Sequence, residues 1–588
     1  MNQAETDKPD PKVWQSLAVF RPLQPMRHKA AGLAKRLARR ASQAHVLARP
    51  ARRKAGRLKM TRLAAAARLP AHLHRPERLR LPRKIGWPRK VTTYPRDRIL
   101  SLTALAGCAL LGAVTAAGDS SALQHEAGSP PQQIAMPPST TSTTPATSAS
   151  SSPARTPSPA PPSAAWCQRR YDLACYSPQQ IQRAYDLPAL YSRGLTGRGR
   201  TIVIVDSFGS PTIRHDLRVF DSGFGLPGPP SLRVLQPVGT VPPYDPHDPD
   251  MVAAAAETTT DVQAAHALAP GASILLVETP VAESLTGAGF PQYVAAENYV
   301  ITHHLGDVIS QSFGIPEQNF PSRAALLKLR YAYVRAHRQD VTVLAATNDF
   351  GVTGPTKTGG RFRTHPVVDW PASDPLVTAV GGTRLRLTAR GGRVSPDSAW
   401  NESGSPAVAR YAGALPWASS GGVSAIFSRP GYQDPVRGVV GGHRGLPDVA
   451  LSASFSGASL TFESFTGAPG TWKPAAGTSV ATPYLAGIVA IADQAMHARL
   501  GLLNPALYRL AQARAPGIVG VTRGSNTVSF AQGRKTITVG GYQARRGYNL
   551  VTGVGTIDAA AFIRDLGALR ASCQPPERDD RGRATCGT

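Results

Sequence analysis

The chain has 588 residues, 42% of them hydrophobic, and carries 66 Lys and Arg against 37 Asp and Glu, a formal net charge of +29. That hydrophobic share supports a large core and excludes wholesale disorder. The charge is confined: residues 1–98 hold 26 basic and 5 acidic side chains, and the other 490 residues carry a net of only +8. The body is nearly neutral, so no polyanion-binding face is expected on it and nucleic acid is not an expected partner.

In chain order, residues 1–98 read as a basic cytoplasmic arm, solvated and disordered, with a basic helix lying on anionic lipid as the alternative. Residues 99–118, ILSLTALAGCALLGAVTAAG, contain no charged side chain and have about the length of a bilayer-spanning helix. Arg96 and Arg98 on its near flank orient that flank to the cytoplasm. The segment is either a membrane anchor or a signal sequence cleaved near Val114-Thr115-Ala116, and both readings export everything after it. Residues 119–165 form a linker, dominated by Ser, Thr, Pro and Ala from Gly128 onward, too poor in large apolar side chains to fold. The expected location is the cell membrane with the following domain outside the cytoplasm, or secretion.

Cys108 lies inside the apolar span. Cys167 with Cys175, and Cys573 with Cys586, stand at the two ends of what remains, a domain at 166–572 and a tail at 573–588. In an oxidising compartment such close pairs read as disulfides, with local pairing preferred among the three connectivities.

Within 166–572, short apolar runs at Thr201–Asp206, Ala272–Glu278, Val308–Ser312 and Val341–Ala346 alternate with helical stretches at Met251–Leu268 and Ser322–His337. That alternation predicts a parallel sheet with helices on both faces, its chemistry gathered at the carboxyl ends of the strands. In Lys473–Ala490, Gly477 and Thr478 allow a tight turn, Ser479 opens a helix, and Pro483 is expected in its first turn. A serine hydroxyl at a helix N-terminus faces backbone N–H groups and the positive end of the dipole, which suits a nucleophile that generates an oxyanion. Glu257 and Asp261, spaced i,i+4, share one face of the Met251–Leu268 helix. His266, nine residues beyond Glu257, falls half a turn out of phase with them.

Gly477-Thr-Ser-Val-Ala-Thr-Pro483 with Ala486-Gly487 resembles the serine signature of subtilisin-like and sedolisin-like peptidases. No His-Gly pair of the subtilisin kind occurs, whereas Glu257-x-x-x-Asp261 followed by Ala269-Pro-Gly-Ala272 resembles the sedolisin (serine-carboxyl peptidase) family. Thr347-Asn-Asp349-Phe-Gly351, Val368–Pro375, Val377–Thr383, Ser419–Ser424 and Leu446–Val449 follow that family's order, roughly from Ser177 to Ile563. The resemblance implies a subtilisin-like parallel sheet and an endopeptidase acting on protein or peptide substrates. Ser479 would be the nucleophile, Glu257 the base, Asp261 its orienting partner and Asp349 the oxyanion stabiliser. Asn348 stands where the family has Gly and competes with Asp349 for that role. Asp206, placed like a subtilisin triad Asp, would be structural. Ser310, Ser312 and Gly314, with Ser420, Gly421 and Gly422, would line the substrate. Two carboxylates sharing a proton and a neutral Asp349 imply activity at acid pH. No cofactor is expected: around Gly520, Val521 and Asn549 the family's calcium carboxylates are missing, which implies a lost or weakly held calcium. The family's folded prodomain has no counterpart in the arm, span and linker. A His-dependent subtilisin-like peptidase and a catalytically silent binding module on a stalk are the rival readings.

Overall fold

The computed structural model of the chain describes residues 160–572, apart from Ala468. The basic arm, the 99–118 span, nearly all of the linker and the Cys573–Cys586 pair lie outside those residues. Among the described residues no helix is long and apolar enough to cross a membrane.

Short β-branched runs become the strands Thr201–Ser207 (β1), Leu232–Leu235 (β2), Ser273–Thr279 (β3), Val308–Gln311 (β4), Thr342–Ala346 (β5), Thr378–Arg384 (β6), Ser398–Ala399 (β7) and Val449–Ser452 (β8). They form one eight-stranded sheet in the order β7-β6-β5-β4-β1-β3-β2, with β8 also paired to β6. All pairs are parallel except β7 with β6.

Around the sheet lie Ala164–Tyr171 (α1), Ile213–Phe224 (α2), Pro249–Leu268 (α3), Phe290–Thr302 (α4), Arg323–Lys328 (α5), Tyr331–Arg338 (α6) and Thr478–Ala495 (α7). Successive strand side chains point to opposite faces. Ile202, Ile204, Ile274 and Leu276 therefore join a core with α2, α3 and α7, while Val203, Val205, Leu275 and Val277 join one with α4 and α6. A sheet buried on both faces needs the nearly continuous apolar strands seen in the sequence.

The expected helix at Ser322–His337 is two helices. Leu329 and Arg330 close tight turns onto the carbonyls of Leu326 and Leu327, and Arg330 is drawn to Asp374 by two hydrogen bonds of 2.6 and 3.0 Å. At the amino end, Ser163 caps α1 and Cys167 is disulfide-bonded to Cys175. Cys175–Tyr176 then pairs in parallel with Ala458–Glu463 (β9), which ties the start of the domain to its body.

Candidate active site

Helices α3 and α7 pack side by side. A Cβ on Gly487 would stand 3.0 Å from Leu268 Cβ and 3.2 Å from the Ala265 carbonyl oxygen, so any larger residue would have to push the two helices apart by a few tenths of an ångström. Ser479 lies eight residues before Gly487, and Glu257 eight before Ala265. With both helices running the same way, about 12 Å of rise brings the two side chains to one level. There the Ser479 hydroxyl stands close enough to the Glu257 carboxyl to lower its pKa.

Ser479 occupies the second position of α7, behind Gly477, whose φ of +113° suits glycine. First-turn N–H groups have no partner within their helix. The Thr478 N–H goes to Asp349 and the Val480 N–H to the Gly477 carbonyl, and the Ser479 N–H between them has no partner within the helix. Pro483 stands in the second turn rather than the first. Its ring nitrogen cannot donate to the Ser479 carbonyl, so the nucleophile's own peptide is outside the helical ladder.

Asp349 follows β5 and lies beside Gly477. Its Oδ1 accepts from both the Thr478 N–H and the Thr478 hydroxyl at 2.8 Å. Its Oδ2 sits where a Cβ on Gly477 would approach to 2.6 Å. Desolvation outweighs the two Thr478 bonds and raises the Asp349 pKa to about 6, so in mild acid Oδ2 carries a proton. Asn348 is not a competing donor: its Nδ2 already donates to the Gly314 carbonyl at 3.1 Å and to Asp369 at 2.6 Å. Its φ of +80° accounts for a residue type that tolerates the left-handed region replacing the family's Gly.

Glu257 is half-buried, whereas Asp261 is fully buried. Desolvation pushes both carboxyls up; the neighbouring Asp206 raises each further, and Ser479 pulls Glu257 back. Neither Asp261 oxygen closes a hydrogen bond of normal geometry, and the Glu257 charge is among the causes that raise its pKa. Burial and the surrounding carboxylates raise Glu257 to about 8 and Asp261 well above its usual range, so the two titrate as a pair.

The other candidates divide. Ser312 lies near Asp261, lowering its pKa without closing a normal hydrogen bond. Ser310 is fully buried in the sheet between Ile204 and Leu344, so substrate cannot reach it; alternation along β4 turns it inward, a correction to the expectation above. Both backbone groups of Gly314 are occupied, the carbonyl by Asn348 and the N–H by Glu283 Oε1 at 2.9 Å. Ser420 is buried and accepts from the Phe350 N–H at 3.1 Å, bracing the loop that carries Asp349. Gly421 has no space for a Cβ, which would lie 2.4 Å from the Leu550 carbonyl, and Gly422 pairs with Leu446. His266 is turned away from the serine, its Nε2 at 2.9 Å from the Pro227 carbonyl and 3.1 Å from Asp221.

Asn549 Oδ1 accepts from the Val551 and Thr552 N–H groups, and its Nδ2 donates to the Arg545 and Gly547 carbonyls at 3.2 and 3.4 Å. With its oxygen and its amide both engaged within its own loop, Asn549 is a poor ligand for a hard dication.

Two residues gain a place that sequence reasoning did not give them. Asp206, kept as structural, charges the surroundings of both Glu257 and Asp261. Glu283, in the loop after β3, faces the same space with its pKa raised by burial to about 7. A carboxylate in a loop at the carboxyl end of a strand was the available signal, but many acidic loop residues share it.

A model described as "Subtilase family" matches residues 245–544, just over half of the chain. Kumamolisin of Bacillus sp. (strain MN-32) is 31% identical over 409 residues, covering 68% of this chain and 65% of kumamolisin. Sedolisin of Pseudomonas sp. (strain 101) is 28% identical over 396 residues, covering 67% and 62%. The chain thus spans somewhat under two thirds of these relatives' length. The structure of Pseudomonas sedolisin, a serine-carboxyl proteinase complexed with two molecules of pseudo-iodotyrostatin, aligns with a TM-score of 0.55 at 25% identity, over 67% of this chain and 99% of that one. The chain belongs to the subtilase family, in its sedolisin branch of serine-carboxyl peptidases.

Proposed function

We propose that this chain hydrolyses peptide bonds of protein or peptide substrates in acid, through Ser479, Glu257 and Asp261 with Asp349 as oxyanion donor. The observation that carries the proposal is Ser479 set next to Glu257, whose pKa its hydroxyl lowers, beside an Asp349 fixed through Thr478. Ser479 passes its proton to ionised Glu257 as its oxygen attacks the scissile carbonyl carbon. The resulting oxyanion is met by the Asp349 Oδ2–H and the Ser479 N–H. Protonated Glu257 then donates to the leaving amine, the C–N bond breaks, and an acyl-serine remains. A water, deprotonated by the same carboxylate, cleaves the ester and returns the proton to Ser479.

The buried Cys167–Cys175 disulfide supports an oxidising compartment, and with the 99–118 segment it supports export. Calcium has no part in the proposal, because Asn549 closes its loop with its own amide; stoichiometric calcium in the desalted, chelator-treated chain would overturn that point.

The test is a pH–rate profile of the full chain on an unfolded protein substrate, beside Ser479→Ala and Glu257→Gln. Activity should peak below about pH 6 and fall at least ~10⁴-fold in either variant. A maximum above pH 7 that survives Glu257→Gln would sink the mechanism.

A further inference from the structure

Asp349 sits on irregular backbone beyond the end of β5, so its height over the serine is set by groups outside the sheet. Thr478 holds its carboxyl from α7. Two further elements hold its backbone. The Asp349 carbonyl accepts from the Ala418 N–H at 2.8 Å, and the Gly351 N–H donates to the Ala418 carbonyl at 2.9 Å. The other support is an antiparallel hairpin, Val528–Gln532 with Lys535–Val539, whose strands pair only with each other.

Alternation along the hairpin leaves Ser529, Ala531, Thr536 and Thr538 exposed and turns Val528, Phe530 and Val539 inward. These three bury against Val352 and Ala418 in a small core of their own, apart from the two that cover the sheet. Two hydrogen bonds tie the hairpin to the loop after Asp349. The Val352 N–H donates to the Asn526 carbonyl at 3.3 Å, and the Phe362 N–H to Gln532 Oε1 at 2.7 Å. A tight contact lies two residues from Asp349. Gly351 has a φ of +61°, and a Cβ there would stand 2.5 Å from Val528 Cγ1 and 2.7 Å from the Asn526 carbonyl oxygen. The loop backbone therefore rests directly on the fully buried Val528 side chain. Packing this close passes the loss of a single methyl on to its neighbours.

We propose that Val528 is a positioning residue for Asp349: its branched side chain, seated against Gly351, sets where the oxyanion donor stands. The inference rests on the peptidase reading above and extends it to a residue outside the catalytic groups. The residues that hold the loop, Val528, Asn526, Ala418 and Ser420, carry no charge, and Glu257, whose pKa Asp349 raises, is the titratable group coupled to it. Loosening the seat thus acts on Asp349 through position and water. A donor displaced by a fraction of an ångström stabilises the oxyanion less well. Admitted water lowers the pKa of a carboxyl that burial holds up.

The experiment compares Val528→Ala, Val528→Thr and Gly351→Ala with the parent full chain, reading kcat, KM, Tm and the pH dependence of kcat. Alanine at 528 empties the seat, whereas threonine keeps its branched shape and lowers stability by burying a hydroxyl. Val528→Ala should lose about tenfold in kcat at pH 6 and about threefold at pH 4, with KM within about twofold, because the limb carried by Asp349 moves to lower pH. Val528→Thr should keep kcat within about threefold while its Tm falls. Gly351→Ala presses the same contact from the loop side and should also lose about tenfold, which keeps the test open if Val528→Ala does not fold. A loss of less than about threefold at pH 6 in Val528→Ala, or in Gly351→Ala should the first not fold, overturns the inference and leaves the peptidase reading intact. So does an equal loss in Val528→Thr and Val528→Ala, the mark of a merely structural role. If the parent cleaves no peptide, the peptidase reading fails, and carbon-13 NMR of the Asp349 carboxyl, assigned by its absence in Asp349→Asn, decides the positioning. A titration midpoint lower by at least about 0.3 pH unit in Val528→Ala supports it, and a smaller shift overturns it.

Discussion

Asp349→Asn and Asp349→Ala separate the two things that Asp349 is asked to do. Its Oδ1 is bound by two Thr478 donors at 2.8 Å, and its Oδ2 is the donor-side atom beside Gly477. With a pKa of about 6, the group is about nine-tenths neutral at pH 5 and one-tenth neutral at pH 7, so catalysis through its neutral form falls about tenfold between them. Asparagine accepts from Thr478 through the same oxygen and places an N–H where Oδ2–H stood, at every pH. In Asp349→Asn the tenfold fall should vanish while activity at pH 5 stays within about tenfold of the parent. Alanine removes the donor, which should cost ~10²–10³ in kcat. It also strands the Thr478 N–H and hydroxyl, for about 1–3 kcal/mol of stability. Steady-state rates from pH 3.5 to 8 and urea unfolding read these effects. A fall between pH 5 and 7 that persists in the asparagine variant would refute the assignment and move that limb to the Asp206, Glu257 and Asp261 cluster. Retention of more than a tenth of kcat by the alanine variant would remove Asp349 from the oxyanion site.

Gly477→Ala should inactivate by the same route, because its φ of +113° is strained for alanine and the new Cβ would press to 2.6 Å of Asp349 Oδ2. A kcat loss of ~10²-fold or more, in a chain whose Tm falls by only a few degrees, is the expected outcome. Stability should favour acid. Asp349, Glu283 and Asp369 have folded-state pKa values raised to about 6, 7 and 8, so the native state binds protons more tightly than the unfolded chain. Their contribution is complete below about pH 4 and is lost as pH rises through 6 to 8. Discounted for the partial exposure of Asp349 and Glu283, it predicts a Tm higher by on the order of 5 °C at pH 5 than at pH 8; differential scanning calorimetry would contradict it by finding the reverse.

By itself the sequence determined the architecture and the chemical parts. Apolar runs ending in polar loops, separated by Ala-rich helical stretches, specify a parallel sheet, because a strand buried on both faces has to be apolar at successive positions. The Gly477-Thr-Ser turn and the Glu257–Asp261 spacing are local facts, set by backbone freedom and helical period, and local facts are written in short windows. What the tertiary structure decided is which of these groups meet. The level of Ser479 against Glu257 depends on two helices separated by more than two hundred residues, locked by Gly487 against Ala265 and Leu268. Asn348 lost its candidacy because Gly314 and Asp369, distant in sequence, claim its amide. Ser310 turned inward because β4 lies inside the sheet rather than along the cleft. Glu283 reached the site because its loop folds back over the Gly314 N–H. A carboxyl's protonation depends on burial and on charges brought near by folding, so composition and spacing name the acids while the three-dimensional arrangement assigns the proton.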